Sequence, residues 1–185
     1  MKIATFDHLL KETAEVTLRG LLHLFAGKAP HDLSHELAEL HDNGCTAVQG
    51  FWSPDQCAMA RSEIDSLIEA GTPGHHWRDS LGSDKRVFHS ERAGGCFERF
   101  FTDPMIENAR RAYTGRVKSE KLVLAARMDF VPGNAGSGNG WHRDSPHRSQ
   151  FKAILYLSDC TPTNGPFQYI PRSHKARDSI QMILN

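Results

Sequence analysis

The chain has 185 residues, of which 39% are hydrophobic and 24% charged, so it has the size and composition of a globular domain with a core of its own. Lysine plus arginine and aspartate plus glutamate number 22 each. This balance argues against a nucleic acid or an anionic membrane as a partner. No run of 18 or more apolar residues occurs, which argues against a membrane-spanning helix.

The four cysteines are scattered and include no CxxC pair: Cys45, Cys57, Cys96 and Cys160. This spacing argues against a zinc ribbon or a redox dithiol and favours reduced thiols, although an even number also permits two disulfides. Charged residues interrupt any apolar segment of a secretion signal near the N-terminus. We therefore expect a cytoplasmic protein.

Two amphipathic helices are predicted before residue 44. Phe6–Phe25 carries apolar residues at helical spacing, and Asp32–His41 is followed by the helix stop Asn43-Gly44. We assign residues 1–42 to an N-terminal helical extension. It either packs on the main domain or binds a partner.

Helices and strands are also predicted in the middle of the chain. They are, in order, a strand Cys45–Phe51, a helix from Ser53 to about Ala70, a helix from Thr102 to Gly115 and a strand Leu122–Val131. Both helices begin with a capping sequence that contains proline, Ser53-Pro54-Asp55 and Thr102-Asp103-Pro104. Both strands are assigned from their composition.

Residues 71–95 are rich in glycine, histidine and serine and show little periodicity, which predicts a loop or an irregular strand. Such a segment either forms part of a lid over a substrate or is an exposed surface loop. In the first case, His75, His76, Trp77 and Arg78 are the residues that we expect to face the substrate.

A His-x-Asp pair follows the glycine-rich segment 132–140, in the sequence Trp141-His142-Arg143-Asp144. Residues i and i+2 of an extended chain point to the same side, so His142 and Asp144 can present an imidazole nitrogen and a carboxylate oxygen to one metal ion. With a second histidine, these donors make the facial triad that binds Fe(II) and leaves positions open. Alone, the tripeptide is a weak signal, because a chain with 11 histidines contains such pairs by chance.

Two apolar runs follow this pair. Phe151–Leu157 and Phe167–Ile170 have strand composition and flank a polar turn that contains Asn164-Gly165-Pro166. The second run leads into Pro171-Arg172-Ser173-His174.

The order of these features resembles the phytanoyl-CoA dioxygenase family. The resemblance is dense over Asn139–Lys175, and Phe51-Trp52-Ser53-Pro54-Asp55 is similar to the start of the family's domain. Members of this family are Fe(II)- and 2-oxoglutarate-dependent oxygenases on a double-stranded β-helix, or jelly roll. The resemblance therefore implies an α+β protein in which N-terminal helices flank a jelly-roll core. Residues 43–185 would supply the N-terminal portion of that domain, with the core incomplete.

The same resemblance implies site residues and cofactors. Fe(II) would be bound by His142 and Asp144, with 2-oxoglutarate and O2 as co-substrates and a small molecule as substrate. Arg127 and Lys152 are candidate contacts to 2-oxoglutarate if they point inward from their strands; otherwise each is a surface charge. Halogenating relatives replace the aspartate by a small residue, so Asp144 points to hydroxylation.

Two parts of the family's site are missing from the sequence. The second metal-binding histidine and the 2-oxoglutarate arginine come well downstream of His-x-Asp in the family. His174 lies in a Pro-x-Ser-His motif that the family carries in addition to that ligand. We expect that the reading frame continues past Asn185, in preference to a short form completed by another chain. The 185 residues alone are then expected to be inactive.

Two other functions stay open. A non-catalytic jelly-roll binding protein, or pseudo-oxygenase, would use the pocket without iron. A zinc hydrolase is disfavoured because no glutamate or histidine stands at metallohydrolase spacing. The fold does not select a substrate.

Overall fold

The computed structural model describes residues 33–71, 75–115, 120–132, 142 and 150–175. Within these ranges, helices and a small antiparallel sheet alternate along the chain. The elements are α1 (Ser34–Asn43), α2 (Pro54–Ala70), β1 (His76–Arg78), β2 (Asp84–Phe88), a 3-10 helix (Ser90–Ala93), α3 (Gly95–Phe101), α4 (Pro104–Thr114) and β3 (Leu124–Met128). The predicted helix Phe6–Phe25 lies outside the described residues. None of the described helices is both long and apolar enough to cross a lipid bilayer.

Helix α2 begins and ends where its sequence predicts. The Ser53 hydroxyl accepts a hydrogen bond from the Gln56 N–H at 3.3 Å, and the Gln56 side chain accepts one from the Ser53 N–H at 2.8 Å. This reciprocal pair is a capping box, which satisfies two backbone donors at the start of the helix. Gly71 ends the helix in the left-handed region, with φ 61°.

Helix α4 also follows its sequence signals. The Asp103 carboxylate accepts hydrogen bonds from the N–H groups of Met105 and Ile106 at 2.9 and 3.2 Å. A proline occupies the first turn, where its missing N–H costs nothing. The predicted helix from Thr102 to Gly115 is therefore confirmed.

Glu107 of α4 interacts with three basic side chains. Its carboxylate accepts hydrogen bonds from Arg110 at 2.8 and 3.0 Å and from Arg111 at 2.7 Å, and it lies 3.7 Å from Lys121 Nζ. The Arg110 hydrogen bonds are the main cause that lowers the pKa of Glu107 from 4.5 to about 2. Lys121 precedes β3, so this group joins the helix to the sheet.

We expect the Glu107 interactions to make stability depend on pH. The folded-state pKa lies below the unfolded value, so the stabilisation is present above about pH 4.5 and is lost as the pH falls towards about 2. Glu107→Gln should lower the free energy of unfolding at pH 7 by roughly 1 kcal/mol and flatten its slope in that window. Urea unfolding at several pH values measures both effects. Glu69→Gln, at an exposed position of α2, is the control, and an equal loss there would contradict the assignment.

The three strands form an antiparallel sheet in the order β1-β2-β3. Val87 of β2 pairs with Ala125 of β3, and both side chains are buried. They pack with Ile68 of α2 and Phe97 of α3, and this cluster is the main core of the described residues. One face of the sheet is thus covered by helices.

Helix α3 was not predicted from the sequence. The Cys96 N–H in its first turn donates to the Glu63 carboxylate of α2 at 2.8 Å. The cap comes from another helix, so no local signal marks the start of α3. Burial, followed by the neighbouring Glu63 carboxylate, raises the pKa of the Cys96 thiol to about 12, which suits a packing residue rather than a nucleophile.

Three regions differ from the sequence-based prediction. Residues 71–95 were predicted as loop or irregular strand but contain β1, β2 and the 3-10 helix. The segment Cys45–Phe51 is not a strand: the Thr46 hydroxyl donates to the Glu39 carboxylate at 2.6 Å, which ties this segment to α1.

The apolar runs Phe151–Leu157 and Phe167–Ile170 were predicted as strands, but neither forms a strand ladder within the described residues. The Phe167 N–H donates to the Tyr156 hydroxyl at 2.9 Å, which joins the two runs through a side chain. The described residues do not form a double-stranded β-helix, and the jelly-roll core therefore stays a prediction.

Residues 150–175, here called the arm, lie against the helices at three places. The ring of Phe151 is 6.3 Å from that of Tyr113 in α4, measured between centroids. The Arg61 guanidinium of α2 donates to the Leu157 carbonyl. The end of the arm contacts the C-terminus of α1. The segment that follows the His-x-Asp pair is thus attached to three helices.

Candidate active site

His142 is the member of the His-x-Asp pair that the described residues include, and it is exposed; Asp144 lies outside them. The described residues contain no group of three His, Cys, Asp or Glu side chains that could hold a metal ion. Whether His142 and Asp144 suit an iron ion is therefore judged from the chemistry of their donor atoms. An imidazole and a carboxylate suit Fe(II) and leave coordination positions open for a co-substrate.

Arg127 lies on β3, on the face of the sheet that packs against the helices. Its guanidinium pairs with Asp65 of α2 and, at 3.2 Å, with Asp129. Asp129 also accepts a hydrogen bond from Lys85 at 2.7 Å. The Asp65 hydrogen bond, followed by that of Asp129, raises the pKa of Arg127 above its ordinary value. Two carboxylates thus engage this guanidinium, which links α2 to the sheet.

Lys152, the other candidate contact to 2-oxoglutarate, is exposed on the arm, outside the sheet to which Arg127 belongs. A cofactor role for either residue stays a prediction.

The second face of the sheet, here called the open face, is not covered by the described parts of the chain. Its apolar members are exposed by 38% to 62%: Trp77, Phe88, Leu124 and Met128. Strand register places them together, because Phe88 pairs with Leu124 and Trp77 pairs with Arg86. Directly paired residues point to the same side of a sheet.

Arg86 is a charged residue of the open face, and its side chain is held in place by two neighbours. Its guanidinium lies 5.1 Å from the centre of the Trp77 ring, a cation–π contact. It also donates two hydrogen bonds to the two carboxylate oxygens of Asp84, at 2.8 and 2.5 Å. The pair is held in one orientation and leaves aromatic and aliphatic surface around it.

The open face includes one strand, β3, that precedes the predicted metal pair in the sequence. Strand β3 ends at Met128, and the chain reaches His142 after residues 129–141. Among the β1 residues predicted to face a substrate, Trp77 projects from the open face. His76 projects to the helix side instead, and its Nε2 atom is buried.

Sequence reasoning missed Arg86, Phe88, Leu124 and Met128 as members of this surface. The signal that could have found them is the alternation along Asp84–Phe88 and Leu124–Met128, in which every second residue belongs to the open face.

His89 and Glu91 fix the entry of the chain into β3. His89 has a left-handed backbone, with φ 58°, and its Nδ1 lies 3.2 Å from the Glu91 carboxylate. The same carboxylate accepts a hydrogen bond from the Val123 N–H at 2.9 Å. Burial raises the pKa of Glu91, but these hydrogen bonds outweigh it and leave the pKa below its ordinary value.

A family model described as phytanoyl-CoA dioxygenase (PhyH) matches residues 40–182. The chain belongs to the phytanoyl-CoA dioxygenase family. The matched range contains both members of the His-x-Asp pair, as well as Pro171-Arg172-Ser173-His174. Enzymes of this family have a jelly-roll fold and are generally dependent on Fe(II) and 2-oxoglutarate.

Several curated relatives of this family member carry the name ectoine dioxygenase. The protein from Stutzerimonas stutzeri (strain A1501) is 26% identical over 157 residues, which cover 77% of this chain and 51% of that protein. The one from Bordetella bronchiseptica is 24% identical over 165 residues, covering 80% and 52%. The chain spans about half the length of the curated relatives it matches. No solved structure gives a significant match.

Proposed function

We propose that the chain is part of an Fe(II)- and 2-oxoglutarate-dependent dioxygenase that hydroxylates a small organic substrate. The observation that supports this most strongly is the family match over residues 40–182, which includes an intact His142-x-Asp144 pair. Imidazole and carboxylate are the donors that this class of iron site uses. The relatives named ectoine dioxygenase agree with the same reaction class.

In this proposal, His142 and Asp144 hold the metal through one imidazole nitrogen and one carboxylate oxygen. Bound iron would supply the chemistry by which O2 gives one oxygen atom to 2-oxoglutarate, which becomes succinate and CO2, and the other to a C–H bond of the substrate. The protein's part is to orient the substrate and to exclude water. Arg127 and Lys152 stay candidate contacts to the co-substrate. To bind a carboxylate of 2-oxoglutarate, Arg127 would first have to release Asp65 or Asp129.

The open face supports a substrate with apolar surface. Trp77, Phe88 and Leu124 offer flat and branched apolar groups on three neighbouring strands, and the last of these strands, β3, precedes the His-x-Asp segment in the sequence. Binding sites for small molecules are typically apolar with a few fixed polar groups. The Arg86–Asp84 pair is such a fixed polar group.

The test uses the protein produced from its own gene, supplied with Fe(II), 2-oxoglutarate, O2 and a panel of small molecules that includes ectoine. Succinate release is measured by NMR, and added oxygen in the product by mass spectrometry. We expect iron-dependent succinate release that at least one panel member stimulates. Binding of 2-oxoglutarate without turnover would instead favour the pseudo-oxygenase, and a protein that binds neither metal nor 2-oxoglutarate would contradict the proposal.

A further inference from the structure

The motif Pro171-Arg172-Ser173-His174 contacts the C-terminus of α1. The Arg172 N–H donates to the Asn43 carbonyl at 2.7 Å. The Nε2 atom of His174 lies 3.0 Å from the His41 carbonyl oxygen. Both contacts join residues more than 120 positions apart in the sequence. They therefore fix the tertiary position of the arm.

These contacts provide hydrogen-bond donors for backbone carbonyls at the end of α1. The last four carbonyls of an α-helix have no partner within the helix. In α1, the Leu40 carbonyl accepts from the Gly44 N–H at 2.8 Å, which closes the helix in the usual left-handed manner. The carbonyls of His41 and Asn43 then accept from the arm. Helix and arm thus cap one another.

The chemistry of this contact assigns the proton on the His174 ring. A backbone carbonyl only accepts hydrogen bonds, so Nε2 must carry the hydrogen that it donates. A metal ion needs a nitrogen lone pair, and Nε2 cannot offer one while it donates to His41. The other ring nitrogen, Nδ1, is buried at Gly44. Metal binding by His174 would therefore require the contact to break.

We propose that His174 is a positioning residue that clasps the arm to helix α1, and that it is not the third iron ligand. The arm's two apolar runs are joined by the hydrogen bond from the Phe167 N–H to the Tyr156 hydroxyl. The clasp therefore holds both runs of the arm. The contact between His174 and α1 is argued from this chain alone. Only the statement that His174 does not bind iron rests on the proposed function.

Gly44 lies against the His174 ring on the α1 side of the clasp. Its φ of 82° lies in the left-handed region. A Cβ at this position would overlap His174 Nδ1 and the Tyr169 hydroxyl, well inside van der Waals contact. Gly50 is a matched control: its φ is 65°, but a Cβ there would meet nothing within 4 Å. The difference between alanine at the two positions isolates the contact with the arm.

The first experiment compares the melting temperatures of Gly44→Ala and Gly50→Ala, each with His174 intact and with His174→Ala. Both single variants carry the cost of a left-handed alanine. We expect a larger loss for Gly44→Ala, and we expect the excess to shrink with His174→Ala, because one overlapping side chain is then gone. Equal losses at the two glycines, or an excess that does not change, would overturn the clasp.

The second experiment compares His174→Gln with His174→Ala in the protein from its own gene. A glutamine amide retains an N–H donor but does not replace an imidazole ligand. The clasp predicts that alanine lowers the melting temperature, that glutamine recovers part of it, and that Mn(II) affinity stays within about twofold of the unmodified protein. An iron ligand predicts a loss of Mn(II) affinity of at least tenfold in both variants, and that result would overturn the proposal.

A third readout does not depend on metal. Long-range 1H–15N NMR of the His174 ring should show the Nε2–H tautomer, and the Nδ1–H tautomer would contradict the clasp. If the unmodified protein binds no Mn(II), the proposed function fails, while the NMR and melting data still decide the clasp.

Discussion

Replacing His142 or Asp144 by alanine is expected to lower iron-dependent succinate release by at least about a hundredfold. Loss of a group that only orients a metal ligand already costs about 10- to 100-fold in affinity or activity. Loss of a ligand itself leaves the ion with fewer protein donors and should cost more. The two variants should also lose Mn(II) affinity, measured by calorimetry, because the effect acts through metal binding.

His35→Ala is a suitable control for these variants, since His35 is exposed on helix α1. We expect it to keep the succinate release and Mn(II) affinity of the unmodified protein. Unchanged succinate release by either His142→Ala or Asp144→Ala would show that the metal lies elsewhere. A matching loss in His35→Ala would show that the assay reports damage to the fold rather than to the site.

The helices were predicted well where their signals are local. A capping residue and a following proline lie within the first turn of α2 and α4, so neighbouring residues suffice to locate both starts. Helix α3 has no such signal, because the Cys96 N–H in its first turn is capped by Glu63 of α2. A cap supplied across the tertiary structure cannot be read from adjacent residues.

Strands were predicted less well because a strand needs a partner as well as a suitable composition. The prediction of Leu122–Val131 succeeded since β2 lies beside it, and the resulting strand β3 is Leu124–Met128. The run Phe151–Leu157 has a similar composition but pairs with no strand among the described residues. Composition alone therefore does not decide whether a run pairs as a strand.

The candidate site was predicted unevenly for the same reason. The spacing of His142 and Asp144 is a local property, and the family match contains both residues. The open face depends on register between strands, which the segment 71–95 did not reveal. The role of His174 at the end of α1 depends on a contact between distant residues and needed the structure.

The largest effect on association is expected from the open face. In the described residues, the buried apolar set is small: Leu33, Ala60, Ile68, Val87, Phe97 and Ala125. Larger apolar side chains are exposed in comparison, including Met128 at 62% and Trp77 at 45% on the open face and Ile154 at 54% on the arm. Contiguous apolar patches of this kind are rarely left in water by monomeric proteins.

We therefore expect the 185-residue chain, produced by itself, to self-associate through the open face. Light scattering after size exclusion should give a mass that rises with protein concentration. Replacing Leu124 and Met128 together by lysine should weaken association by at least about tenfold, because two buried charges without partners oppose the contact. Within the described residues, the outer edges of β1 and β3 have no strand partner and can add to the association, but they are unchanged in this variant.

Leu81→Lys separates the open face from general apolar exposure. Leu81 is 57% exposed but lies in the turn between β1 and β2, outside the open face as defined by strand register. If any exposed leucine drives association, Leu81→Lys should weaken association about as much as Leu124→Lys does when it is made alone. If the open face is the contact, the Leu81 variant should associate as the unmodified chain does. A concentration-independent monomer with a cooperative melt would contradict the prediction, since it would mean that chain segments outside the described residues already cover the face.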